Sequence, residues 1–279
     1  MADRDRTDRQ TDTPTGGTRL SRRRVLLSAA VAAGSAVAAG PILSSVLRAA
    51  SAPVHTPQPG HASADATARR WAMVIDLRRC DGCKKCTKAC QEKHYLPPEQ
   101  EWIKVYTLRD RTGIEYSMPR LCMHCEDAPC VRVCPVGATF VNKDGLVLVD
   151  QDKCIGCRLC MAACPYEARY FNWIEPTVKP PLPTTPTPEF PSPQQLGTVG
   201  KCILCVHNIK DGVLPYCVDA CTMGAIYIGD LDADVATNGP ETVRLSTFLS
   251  QNNAIRLKEE LNTRPRVYYI AGHGEDLEW

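Results

Sequence analysis

Short apolar runs separated by turn residues dominate the chain beyond residue 70. Trp71, Ala72, Met73, Val74, Ile75 and Leu77 form a compact apolar run that predicts a strand over 71–77, leading into the first cysteines. Two further runs, 139–141 and 146–149, flank Asp144-Gly145 and predict a hairpin. Residues 226–228 and 267–270 predict two more short strands. Helical periodicity is clear only over 242–261, where Val243, Leu245, Phe248, Leu249, Ile255, Leu257 and Leu261 recur at helical spacing. Between residues 176 and 193 there are eight Pro in 18 positions, a density that predicts an extended surface loop.

The first 70 residues read differently. Residues 1–19 are polar and charged, and cannot bury enough apolar surface to fold alone. Ser21-Arg22-Arg23-Arg24-Val25-Leu26-Leu27 then opens an Ala-rich apolar run that ends near Leu47 and is followed by small residues. A basic stretch, an apolar stretch and small residues make an export signal, and the paired Arg gives it twin-arginine character. The run is also long enough to remain as an anchor, since about 20 residues span a bilayer. The expected organisation is a leader over 1–52, a linker over 53–70 and a folded domain over 71–279.

Composition narrows the chemistry. A formal charge of +2 over 279 residues predicts neither a nucleic acid nor a strongly acidic partner. Aromatic residues make up only 6%, so a large aromatic core is not expected. Cysteine is the outlier: all 16 lie between Cys80 and Cys221. Disulfides, zinc and iron–sulfur clusters are the three chemistries that use cysteine this way.

The spacing separates them. Group I is Cys80-x2-Cys83-x2-Cys86-x3-Cys90, and group II is Cys122-x2-Cys125-x4-Cys130-x3-Cys134. Group III is Cys154-x2-Cys157-x2-Cys160-x3-Cys164, and group IV is Cys202-x2-Cys205-x11-Cys217-x3-Cys221. Four groups of four, with none left over, form an internal repeat. Three thiolates at two-residue gaps can wrap one side of a 4Fe–4S cube, and the fourth points away toward a second cube, so such clusters come in pairs. Groups II and III, both ending in Cys-Pro, make one such pair, which leaves groups I and IV as the other. Zinc does not explain the tight triplets, and cysteines two residues apart pair poorly as disulfides. Lys84, Lys85, Lys88, Arg132, Arg158, Lys201 and Lys210 lie beside these cysteines, either tuning cluster potential or forming a solvated basic face. His124 and His207 are expected to pack rather than ligate, because each group already supplies four cysteines. Trp102 and Trp173 are expected to be core or cluster-shielding residues.

The sequences 122–135 and 154–166, the stretch 168–173 (Ala-Arg-Tyr-Phe-Asn-Trp) and the x11 gap of group IV resemble the four-cluster electron-transfer subunits of the DMSO reductase superfamily, in particular the iron–sulfur subunits of polysulfide, thiosulfate and tetrathionate reductases. The resemblance runs from about residue 71 to 270. It implies an α+β fold of two ferredoxin-like dicluster modules, with groups II and III in a core module over 115–175. Groups I and IV would occupy 71–114 plus 198–230, with the Pro-rich loop over 176–197 and a C-terminal helix and strand over 231–279. It also implies four crossed ligand sets, named here quartets 1 to 4. Quartet 1 is Cys80, Cys83, Cys86 and Cys221, and quartet 2 is Cys122, Cys125, Cys130 and Cys164. Quartet 3 is Cys154, Cys157, Cys160 and Cys134, and quartet 4 is Cys202, Cys205, Cys217 and Cys90. The implied function is transfer of single electrons through four 4Fe–4S clusters. The implied partners are a molybdopterin catalytic subunit and an integral-membrane quinone-reactive subunit, and the leader is expected to place the chain in the periplasm or at the outer face of the cytoplasmic membrane. The corresponding subunit of a periplasmic hydrogenase or of a sulfite-reduction complex is the neighbouring possibility, and a zinc-binding scaffold the one from another class. The chain has no glycine-rich dinucleotide fingerprint, so substrate chemistry in this chain alone is not expected.

Overall fold

The computed structural model describes residues 69–181 and 184–272. The expected leader over 1–52 and all but the last two residues of the linker lie outside the described residues.

Strand β1 (Trp71–Asp76) is buried along almost its whole length, as its continuous apolar run requires of a central strand. It pairs in parallel with β11 (Val267–Ile270) and antiparallel with β8 (Ile226–Asp230). Strands β9 (Val235–Thr237) and β10 (Thr242–Arg244) extend the sheet, giving the order β10-β9-β8-β1-β11. The two-residue period of the strands divides the sheet between two cores. Met73 and Ile75 enter the larger core, which also contains buried cysteines, whereas Val74 joins Tyr227, Ala236, Leu245 and Ile270 on the other face.

The remaining elements are small and serve the cysteine loops. Strands β2 (Ile103–Arg109) and β3 (Glu115–Leu121) form a hairpin that the hydrophobic pattern did not reveal. Trp102, Ile103, Met118 and Leu121 are buried there, but polar and charged residues interrupt the alternation. The expected hairpin is present as β4 (Thr139–Val141) and β5 (Val147–Val149), and β6 (Tyr170–Phe171) pairs with β7 (Val199–Gly200). Helices are short: α1 (Lys85–His94), α2 (Pro129–Arg132), α3 (Leu159–Ala162), α4 (Val206–Lys210), α5 (Tyr216–Asp219) and α6 (Leu245–Gln251). Helix α1 packs on α5, and α2 on α3, so the helices pair as the cysteine groups do. Among the described residues, no helix is long and apolar enough to cross a membrane.

Two expectations are corrected. The single helix over 242–261 is instead strand β10, helix α6 and a 3-10 turn at Glu259–Leu261. Leu245, Phe248 and Leu249 do share a helical face against the second core. Beyond Gln251 the chain turns at Asn253, with φ 46°, so that Ile255 exchanges both backbone hydrogen bonds with Tyr269 on β11 at 2.8 and 2.9 Å. Sheet pairing outweighs helical periodicity there because it satisfies backbone groups at the β11 edge. The Pro-rich loop is also not wholly a surface feature. Pro191, Ser192 and Gln194 are buried, and Phe190 meets His207 edge-on with ring centroids 4.8 Å apart.

Ile75 is completely buried at the centre of the sheet. Ile75→Ala should cost about 2–5 kcal/mol through lost burial and a residual cavity. The measurement is thermal unfolding followed by circular dichroism, whose midpoint should lie at lower temperature in the variant.

Candidate metal centres

Groups I and III share the loop Cys-x-Gly-Cys-Lys/Arg-x-Cys, and the structure gives both the same bend. Gly82 and Gly156 sit at φ +74° and +69°, and Lys84 and Arg158 at φ 58° and 61°. Two left-handed residues so close together turn the backbone around a small centre, which brings successive cysteines onto the same hollow. In groups II and IV the position of the glycine is taken by His124 (φ 43°) and Leu204 (φ 55°), both buried. At Gly156 the requirement for glycine is twofold, because a Cβ there would lie 2.2 Å from the carbonyl oxygen of Gly197.

The bends bring together the thiols expected to converge. One hollow is lined by Cys80, Cys83, Cys86 and Cys221, and another by Cys134, Cys154, Cys157 and Cys160. The Cys125 thiol faces those of Cys122, Cys130 and Cys164, and the Cys90 thiol faces those of Cys202, Cys205 and Cys217. These are quartets 1, 3, 2 and 4. The crossing follows from helix geometry. Cys86 and Cys90 lie four residues apart on α1, so one helix face carries a thiol to each of two neighbouring quartets. Cys217 and Cys221 do the same around α5.

The donor set suits 4Fe–4S cubanes. All sixteen cysteines are free thiols. Among the described residues, no three Cys, His, Asp or Glu side chains come close enough to chelate one ion, whereas zinc–thiolate bonds of about 2.3 Å demand close packing. A cubane places iron and sulfide between its thiolates and holds them further apart. Backbone N–H groups of Thr139, Leu204 and Ala225 donate to Cys134, Cys202 and Cys221 sulfurs at 3.4, 3.4 and 3.3 Å, the kind of contact that sets cluster potential.

The quartets form a series. Cys86 faces Cys90 and Cys217, linking quartet 1 to quartet 4, and Cys202 faces Cys122, linking quartet 4 to quartet 2. The Arg169 guanidinium acts on both Cys130 and Cys160, and so stands between quartets 2 and 3. The two ends reach the surface through exposed Cys83 and Cys157, whereas all four cysteines of quartet 4 are buried. Burial pushes the Cys86, Cys125 and Cys205 thiols up to about 12 and Cys202 to about 11, with Cys90 and Cys217 raised well above the ordinary value. Iron binding must displace these protons, so loading strengthens as pH rises. Cys134 differs: burial raises its thiol, but N–H groups of Thr139, Val136 and Ala138 more than offset that and lower it.

The residues around the quartets sort by burial. Lys84, Lys85, Lys88, Arg132, Arg158 and Lys210 are exposed and form a solvated face, whereas Lys201 is 2% exposed. His124 is buried and His207 half-buried. Trp102 is buried as expected, but Trp173 is 66% exposed, with the Arg158 guanidinium 4.8 Å from its ring centroid. Trp173 is therefore not a core residue. Two site residues carry only weak signals in the sequence. His94 places Nε2 3.3 Å from the Cys205 sulfur, and its position four residues after Cys90 on α1 is the available signal. Arg169 lies within the stretch 168–173, but only its burial singles it out.

Paired, crossed thiol quartets joined in series define a protein that holds iron–sulfur clusters for electron transfer. Three overlapping matches to the 4Fe–4S dicluster domain cover residues 79–138, 114–180 and 153–226. The chain is 40% identical over 218 residues to an iron–sulfur protein of Halobacterium salinarum named for dimethyl sulfoxide reductase, covering 72% of this chain and 79% of that one. It is 38% identical over 224 residues to a selenate reductase subunit of Mesobacillus selenatarsenatis, covering 72% of each chain. It is 38% identical over 208 residues to a tetrathionate reductase subunit of Salmonella typhimurium, again covering 72% of each. The chain belongs to this family of 4Fe–4S dicluster electron-transfer subunits, and its sixteen cysteines fit four 4Fe–4S clusters.

Gly156→Ala should empty quartet 3 selectively, because the new Cβ meets backbone and the left-handed conformation disfavours it. Iron content should fall by about four atoms per chain, one cubane's complement. Low-temperature electron paramagnetic resonance should show the other three signals intact.

Proposed function

We propose that the chain is the electron-transfer subunit of an exported respiratory oxidoreductase. In this reading it conducts single electrons along quartets 1, 4, 2 and 3 between a molybdopterin catalytic subunit and a membrane quinone-reactive subunit. The observation that carries it is the series itself, two quartets with exposed cysteines at Cys83 and Cys157 and two interior quartets between them. A chain built this way has two electrical contacts and so fits between two redox partners. Each cubane supplies a one-electron carrier, and this chain's residues hold it, exclude water and fix the distance to the next. Relatives named as the iron–sulfur cluster-binding subunit of menaquinone reductase (Nitratidesulfovibrio vulgaris) and the iron–sulfur subunit of arsenate respiratory reductase (Shewanella sp.) support a respiratory setting. The twin-arginine pattern expected of a leader over residues 1–52 favours placement in the periplasm or at the outer face of the cytoplasmic membrane.

The ligand sets are tested by substitution. Anaerobically purified protein should contain about 16 iron and 16 acid-labile sulfide, four of each per cubane. Cys221→Ser should alter the resonance signal that Cys80→Ser alters, and Cys90→Ser the signal that Cys202→Ser alters. If Cys221→Ser changes only the Cys202 signal, each group closes its own cluster and the crossed sets are wrong.

Export is tested at the leader. Replacing Arg22 and Arg23 by Lys should leave cluster-loaded protein in the cytoplasm, as fractionation followed by visible absorbance would show. Normal export of the Lys pair would remove the twin-arginine assignment.

A further inference from the structure

Among the described residues, two buried cations near quartet 2 have no carboxylate counter-ion. Arg169 is 5% exposed and Lys201 is 2% exposed. Among the described residues neither forms an ion pair with a carboxylate. The Arg169 Nη1 donates to Thr139 Oγ1 at 3.2 Å, and the guanidinium otherwise lies against the Cys130 and Cys160 thiols, which are uncharged when protonated. The Lys201 Nζ donates to the backbone oxygen of Cys202 at 2.7 Å, a neutral partner. Buried Arg266, by contrast, has Glu126 at 3.7 Å. A buried charge without a partner is among the most costly features a fold can contain, so its countercharge must come from elsewhere.

The surroundings show where. Arg169 faces Cys122 and Cys130 of quartet 2 and Cys160 of quartet 3. Lys201 faces Cys130 of quartet 2 and Cys202 of quartet 4. Cys130 is the residue that both cations face. Burial opposes the Arg169 charge, and the neighbouring cysteines favour it only as thiolates. Neutral thiols offer no countercharge, whereas four thiolates around an oxidised 4Fe–4S core leave a net negative charge.

We propose that Arg169 and Lys201 are the counter-cations of the interior cluster on quartet 2, and that they raise its reduction potential above the value its ligands alone would set. One cation stands at the junction of quartets 2 and 3 and the other at the junction of quartets 4 and 2, so quartet 2 alone is flanked by both. Adding an electron makes a cluster more negative, and a nearby fixed cation favours that state. The interior cluster thereby becomes a place where an electron rests between the two ends. Arg169 and Lys201 are positioning residues that act on potential, and they ligate no iron.

This inference rests on the four-cluster reading, and the experiment separates the two. Redox titration monitored by electron paramagnetic resonance is run on the full cluster-loaded chain, with each signal assigned beforehand by its Cys→Ser variant. A wild-type protein lacking four cubanes overturns the functional reading and this inference with it. With four present, Arg169→Gln should lower the potentials on quartets 2 and 3, and Lys201→Gln those on quartets 2 and 4. The shift on quartet 2 should be about tenfold in the oxidised-to-reduced ratio, which is about 59 mV for one electron. The double variant should move quartet 2 furthest and leave quartet 1 in place. Arg169→Lys and Lys201→Arg, which keep the charge, should restore most of the wild-type potential. Loss of quartet 2 iron in the Gln variants with retention in the charge-keeping variants also supports the assignment. An unmoved quartet 2 in an intact wild-type background overturns it. So do equal shifts at all four clusters, or shifts as large in the charge-keeping variants as in the Gln variants.

Discussion

Sixteen thiols must converge in fours, and the chain that carries them must cross between sites to make them converge. This constraint shapes the rest of the molecule. A helix that delivers Cys86 to one quartet and Cys90 to the next cannot shift without disturbing both. The same holds around α5 with Cys217 and Cys221, and α1 packs on α5 so that the two deliveries register against each other. One helical turn suffices to pass from Cys86 to Cys90, or from Cys217 to Cys221, and so from one hollow to its neighbour. The five-stranded sheet supplies what the loops lack, a continuous apolar core, and β1 leads directly from that core into Cys80.

Electrostatics is the second consequence. Burial keeps most of the thiols protonated in the absence of iron, so the folded chain and its metal are coupled through proton release. The same burial encloses Arg169 and Lys201, and among the described residues no carboxylate pairs with either. The interior of this protein is therefore arranged for an anionic guest. His124, packed among Lys201, Arg266 and Arg169, is kept neutral first by burial and then by those cations. The positive field is concentrated beside the interior quartets, while the exposed basic residues of groups I, II and III face solvent.

The surface divides accordingly. Quartets 1 and 3 open outward at Cys83 and Cys157, and the aromatic and apolar side chains near quartet 3, among them Trp173 and Ile174, are exposed. Around quartet 4 the Pro-rich segment folds inward: Phe190 packs edge-on against His207, and the Ser192 hydroxyl donates to the His94 carbonyl at 3.3 Å. A segment whose composition suggested only extension thus closes one side of an interior site.

Cysteine spacing by itself determined the number of centres, their pairing and the chemistry of their ligands, because a loop of x2 and x3 gaps leaves few ways to surround a cube. The central strand and the hairpin at Asp144-Gly145 were legible for a similar reason: their signals are local. What tertiary structure decided depends on distant partners. Residues 242–261 carry helical periodicity throughout, yet Ile255 leaves the helix because Tyr269 offers it backbone hydrogen bonds. The β2–β3 hairpin is held by the core that Trp102 and Met118 enter, and its own alternation is too broken to show it. Among eight basic residues beside or near the cysteines, only burial distinguishes Lys201 and Arg169 from six that face water. Burial is set by every element that packs against a residue, and no local pattern encodes it.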